Sequence, residues 1–267
     1  MGNPSERGKS NFESFLKHIS PSVPVNFHTQ SRVGSSSSGA KAEPERKPHI
    51  VLGDIWEAYE LWSCFAVGVP LTLRRDTTQY YAPTLSAIQI FTKKPLIDGS
   101  SSRSFGEDCH LYLEFDQPLS FEERPPLIDT VAELAETHHG MNSLKSSDLS
   151  ENSWFCVSWS PSLQIPTVED VDAYFLTYHS MTPVFPETFP QEAKVELPVF
   201  GAVGSKLPDD VWNMPGTTDQ ENIKMHEESA ASWLGKVMFT QNDFKMFMAG
   251  KATGLPFPTG VVTIYLP

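Results

Sequence analysis

An α+β domain with a largely antiparallel sheet is the fold class this sequence predicts, and three observations predict it. Alternating apolar and polar segments recur early and late in the 267 residues, helically spaced segments fall between them, and no regular strand–helix–strand rhythm links the two. Hydrophobic residues make up 39% and aromatic residues 11%, enough to bury one large core. A single domain over about 49–250 accommodates these segments. Residues 1–48 precede it, and 251–267 form an unassigned tail.

The first element is a short amphipathic helix over about 10–20. Ser10 is placed to cap it, Glu13 has the capping-box spacing, and Phe12, Phe15, Leu16 and Ile19 share one face. A helix this short is marginal alone, so its phenylalanines dock on the chain's own domain or in a partner's groove. In the second case those four residues are the partner-binding candidates. Residues 21–48 contain GSSSSGAKAEPERKP, poor in apolar side chains, which predicts a disordered linker.

GDIWEAYELWSCFAVGVPL (53–71) predicts a helix with Asp54 as N-cap, Glu57 at its third position, and Gly68 and Pro70 as the stop. Two apolar rows, Ile55–Tyr59–Trp62–Ala66 and Ala58–Leu61–Phe65–Val69, imply packing over most of its circumference, with Trp56 and Trp62 as core filling. The period then changes. LSAIQIFTK (85–93) and CHLYLEFD (109–116) predict strands; in the second, Cys109, Leu111, Leu113 and Phe115 face away from His110, Tyr112, Glu114 and Asp116.

A helix over 126–137 starts at Pro126, carries Leu127, Val131 and Leu134 on one stripe, and closes at His138–His139–Gly140. SWFCVSWSPSLQIP and VDAYFLTYHS predict strands, the latter central because both its faces are apolar. AKVELPVFGAV (193–203) adds a strand in which Pro198 imposes an edge or a bulge. TTDQENIKMHEESAASWLGKVM predicts a helix with Ile223, Ala230, Trp233, Leu234 and Val237 inward, and NDFKMFMA a last short strand or turn of helix.

Formal net charge is −13. The first 48 residues hold seven basic and four acidic side chains, a surplus of three positive charges, so the rest of the chain carries −16. So acidic a body repels phosphate backbones and anionic lipid, which argues against nucleic-acid and membrane-surface partners. No run approaches the roughly 18 apolar residues of a spanning helix, and no signal-peptide pattern opens the chain. Gly2 follows Met1, but Glu6 stands where myristoylation wants Ser or Thr. Cys64, Cys109 and Cys156 are odd in number and widely spaced, which predicts reduced thiols in an intracellular protein, cytosolic or nuclear.

Chemistry-bearing motifs are sparse. There is no phosphate-binding G-x-x-x-x-G-K-[ST] or G-x-G-x-x-G, no C-x-x-C and no H-E-x-x-H, so no cofactor and no metal is expected. Two of Glu136, His138 and His139, near a helix end, could meet a metal, but favourable dipole contacts explain the two histidines there without one. Cys156, Ser158 and His179, with Asp172, are weak catalytic candidates. Antiparallel pairing of their strands spreads them along the sheet, where a triad needs them clustered.

LGDIWEAYELWSCFAVGVPL with QYYAPTLSAIQIF, then SSDLSENSWFCVSWSPSLQIP running into DAYFLTYHSM, and ESAASWLGKVMFTQNDFKMF resemble a plant-specific family catalogued as domain of unknown function 789. SNFESFLKHISPSVP fits the same family, and the resemblance spans about residues 10–248. It implies a land-plant source and carries over no catalytic or binding residue, since none is established for the family. Function is therefore unknown from sequence. A non-enzymatic interaction or regulatory domain leads. The alternative is a cryptic hydrolase-like enzyme or small-ligand binder with an aromatic-lined pocket drawn from Trp56, Trp62, Tyr80, Tyr112, Trp159 and Tyr178.

Overall fold

A computed structural model of the chain describes residues 10–29, 46–72, 77–95, 108–162, 173–186, 193–212 and 216–253. In chain order its elements are α1 (Asn11–Ile19), β1 (Ser22–Pro24), β2 (Asn26–Thr29), β3 (Arg46–His49), α2 (Leu52–Phe65), β4 (Val67–Leu71), β5 (Thr77–Thr92), β6 (His110–Asp116), α3 (Leu127–Thr137), β7 (Trp154–Pro161), β8 (Tyr174–Ser180), β9 (Lys194–Glu196), β10 (Val199–Ser205), α4 (Asp209–Trp212), α5 (Asp219–Lys236) and α6 (Asn242–Thr253). The class is α+β, as expected. All described strand pairs are antiparallel.

The main sheet runs β10–β8–β7–β5–β4, with β6 also paired to β5. β5 is its spine. One edge of β5 pairs β7 over Tyr81–Gln89, while the other pairs β4 over Thr77–Tyr81 and β6 over Ala87–Thr92. Residues 82–86 fall in the gap between β4 and β6, which is where a central strand can hold Pro83 without disturbing its neighbours. Gln117 serves that gap: its backbone N–H donates to the Ser86 carbonyl at 2.9 Å and its side-chain amide to the Leu85 carbonyl at 3.2 Å. The β5–β7 register slips between Leu85 and Ala87, leaving Ser86 as the bulged residue.

Alternation divides the sheet into two faces. Phe155, Val157, Trp159 and Phe175 belong to one apolar cluster with Phe12, Phe15, Ile55, Trp56 and Tyr59 of α1 and α2. Trp154, Cys156, Leu176 and Tyr178 belong to the other, with Ala230 and Leu234 of α5 and Phe247 of α6. Gly201 lets α5 approach β10 closely, since a Cβ there would lie 3.0 Å from the Ala230 backbone.

The α1 helix is part of this body. Ser10 caps it by accepting the Glu13 N–H at 2.9 Å, as expected, but the Glu13 carboxylate leaves the capping box and accepts from Asn222 of α5 at 3.2 Å. The buried Asp219 carboxylate accepts from the Ser10 hydroxyl and, at 3.2 Å, from the Asn11 N–H. Phe12, Phe15 and Ile19 are fully buried and Leu16 packs against the same cluster. Phe15 stacks on Phe175 at 4.2 Å and meets Tyr81, Trp159 and Trp212 edge-on. Burying the three large side chains contributes about 5–9 kcal/mol, so of the two docking outcomes the chain adopts its own. Polar α1 side chains also close the outer edge of β4, Ser14 on the Pro70 carbonyl and Asn11 on both backbone groups of Thr72.

Several boundaries depart from expectation. The linker expected over 21–48 contains β1 and β2 at one end and reaches β3 at the other; β1 pairs β9, and β2 pairs β3. Residues 30–45 lie outside the described residues, as does the tail from 254. Helix α2 begins at Leu52 with Val51 as a cap that makes no side-chain bond, so Asp54 is not its N-cap. It ends at Phe65, and Gly68 and Pro70 belong to β4. Two members of its second apolar row are not packed: Leu61 is 69% and Phe65 63% exposed, while Val69 is buried in β4. NDFKMFMA is neither strand nor single turn but the start of the twelve-residue α6.

Candidate functional site

The weak catalytic candidates do not assemble. In the β7–β8 register Phe155 stands opposite His179, Cys156 opposite Tyr178 and Ser158 opposite Leu176. Residues opposite each other share a face, so His179 projects to the α1/α2 side while Cys156 and Ser158 project to the α5/α6 side. Asp172 lies outside the described residues.

His179 is fully committed. Its Nδ1 lies 3.0 Å from the Leu197 carbonyl, which can only accept, so Nδ1 carries the proton. Nε2 then accepts from the Thr177 hydroxyl at 3.0 Å, and that oxygen accepts from the Trp159 indole at 2.8 Å. The ring stacks on Phe155, 5.0 Å between centroids and 12° between planes. Burial lowers its pKa to about 4, with the Leu197 carbonyl opposing in part. It is a neutral packing imidazole.

Cys156 is equally inert. Burial pushes its thiol up to about 12, and the neighbouring Gln241, Ser86 and Tyr178 side chains offset only part of that. Around it runs a polar chain that sequence reasoning missed. Tyr178 donates to Gln241 at 2.6 Å, Gln241 to Ser86 at 2.7 Å, and Ser86 to Asp243 at 2.5 Å. Arg124 meets Asp243 through two bonds of 2.6 and 2.8 Å and lies 3.9 Å from the Phe121 ring centroid. The Arg124 and Asp243 side chains are 1% and 3% exposed, so this chemistry is sealed from any substrate. Its evident role is to fix α6 and the 117–124 segment onto the Ser86 bulge.

None of the six proposed pocket aromatics lines either cleft found among the described residues. Trp56, Trp159 and Tyr178 are buried in the two clusters, and Trp62, Tyr80 and Tyr112 are half-buried. Among the described residues no group of three metal-ligating side chains meets. His138 Nδ1 turns back onto the Leu134 carbonyl, and Tyr112 donates to the carbonyls of His138 and His139.

Two open clefts lie among the described residues. One, about 450 Å³, lies where β5 ends and β6 and β7 begin, and includes Lys93, Asp108, Cys109 and Asn152. Its lysine is already used by the Ser147 carbonyl, and Asn152 donates to the Cys109 sulfur. The larger, about 690 Å³, is a groove between α5 and the ends of β8 and β10. Met225, Glu228, Ser229, Ser232, Trp233 and Lys236 form its helical wall; Ser180, Phe200 and Glu151 face them.

The groove follows from local structure. Positions 225, 229, 232 and 236 are spaced as one stripe of a helix, and Trp233 and Glu228 flank it. Core residues Ala230, Leu234 and Val237 use a neighbouring stripe, so the groove stripe faces outward. Opposite, Phe200 is the bulged residue between Val199 and Gly201 at the sheet's last strand. The bulge turns its ring onto Trp233, 5.0 Å away at 60°. Met225 is 54% exposed, and Lys236 sits 4.9 Å from the Trp233 centroid. The sequence placed Trp233 inward by its spacing; what it did not reveal was that Phe200 and Met225 join it at an open surface.

The family model described as Protein of unknown function (DUF789) matches residues 10–110 and 97–247. No curated protein and no solved structure matches the chain.

Proposed function

We propose that this chain, which belongs to the DUF789 family, is a non-enzymatic intracellular interaction domain that takes a segment of a protein partner into the groove between α5 and β10. One observation carries this: Phe200, Met225 and Trp233 line an open cleft while every nominated nucleophile and base is buried within the sheet. Aromatic residues and methionine are the types that concentrate in interface cores. Cys64 is exposed while Cys109 and Cys156 are buried, all three unpaired, which supports a reducing compartment. No described helix is long and apolar enough to cross a membrane.

The 267-residue chain and its Ser232→Trp variant, used as baits in an extract of the source tissue, test the proposal. A reproducible protein set retained by the parent and lost from the variant is expected. Turnover of an ester or peptide substrate that Cys156→Ala abolishes would contradict it and restore the hydrolase-like alternative.

A further inference from the structure

We infer that the α5–β10 groove selects a short extended peptide segment with an apolar anchor beside a basic residue. The inference rests on the interaction role proposed above and adds the partner's chemistry.

Length comes first. From Met225 to Lys236 the helical wall rises eleven residues, about 16 Å at 1.5 Å each. An extended chain covers that in about five residues. A small molecule gains affinity by being enclosed over most of its surface, whereas this cleft is open along its length. An extended strip of polypeptide matches it better.

Side-chain chemistry comes second. The Phe200–Trp233 pair with Met225 offers an apolar seat for one large aliphatic or aromatic anchor. Ser229 and Ser232 lie along the helical wall and are small enough for a partner backbone to approach.

Charge comes third. Two carboxylates, Glu151 and Glu228, line the groove against one ammonium, Lys236, which is drawn over the Trp233 ring. Glu228 makes only a 3.9 Å contact with Lys224 in which both side chains are largely exposed, so it is available to a stronger cation. Arginine suits such carboxylates best, since its planar fork bonds a carboxylate through two N–H groups at once. The net charge of −13 further draws a basic segment toward the protein.

The test uses the full chain and three fluorescein-labelled pentapeptides, Gly-Arg-Leu-Arg-Gly, Gly-Glu-Leu-Glu-Gly and Gly-Arg-Ser-Arg-Gly, read by fluorescence anisotropy. The Arg-Leu-Arg peptide is expected to bind at least tenfold more tightly than either of the others. Glu151→Gln with Glu228→Gln weakens it at least tenfold, and Ser232→Trp, at an exposed position that leaves the core intact, abolishes it. Circular dichroism confirms that each variant is folded. No binding by the Arg-Leu-Arg peptide, or binding unaffected by Ser232→Trp, overturns the inference. If the Glu-Leu-Glu or Arg-Ser-Arg peptide binds as well and Ser232→Trp blocks it, the basic-anchor chemistry falls while the groove keeps its interaction role.

Discussion

Cys156 and His179 lie on paired neighbouring strands yet on opposite faces of one sheet, because His179 stands opposite Phe155 and Cys156 opposite Tyr178. A period-two strand cannot bring both to one point without slipping the register by a residue, and such a slip would turn both apolar faces over. The separation is therefore built into the packing. What each residue does instead can be measured.

His179 makes the fold acid-sensitive. Its pKa falls from 6.5 to about 4 on folding, so its contribution is fully present above pH 6.5 and is lost as pH drops toward 4; the shift corresponds to about 3 kcal/mol. Asp116 opposes it. Burial raises that carboxyl to about 6, so its effect favours the folded state as pH falls through the same window. Urea midpoints should decline from pH 7 to pH 4.5, and more steeply in Asp116→Asn. A midpoint that rises on acidification would contradict the assignment.

Arg124 and Asp243 should behave as a buried pair. Arg124→Met leaves Asp243 uncompensated beside Ser86 and should cost about 3–5 kcal/mol in urea unfolding. Adding Asp243→Leu removes the stranded charge, so the double variant should recover at least half of that loss. Additive losses would show that the two side chains act independently.

Phe15→Ala tests how firmly α1 belongs to the body. Emptying the space between Phe175, Tyr81, Trp159 and Trp212 should cost about 3–5 kcal/mol and expose α1 amides to hydrogen exchange. A loss below about 1 kcal/mol would mean that the helix detaches freely.

Local signals in the sequence located the elements whose ends are set locally. Ser10 caps α1 by its own side chain, and Gly140, with φ of 92°, takes the left-handed turn after α3. Elements with distant supports were misplaced. Helix α2 starts at Leu52 because the Leu52 N–H is held by the Leu144 carbonyl and Val51 bridges Lys145, neither visible from Asp54 and Glu57. Helix α6 was mistaken for a fragment because Asp116 accepts its Asn242 N–H and Arg124 grips its Asp243 from more than a hundred residues away. The groove was hidden for the same reason. Trp233 sits on a legible helix, and Pro198 signals an edge or a bulge in its strand, but not that the bulge falls at Phe200 and turns that ring onto Trp233.

The sealed interior, and with it the assignment of function to the surface, is tested most directly by thiol labelling of the native protein with iodoacetamide at pH 7.5. Cys64 is exposed on α2, whereas Cys156 is buried with its thiol pushed up to about 12. Peptide mapping by mass spectrometry should find Cys64 alkylated and Cys156 unmodified until denaturant is added. Alkylation of Cys156 at a rate matching or exceeding that of Cys64 in the folded chain would reveal an accessible, activated thiol and contradict the account.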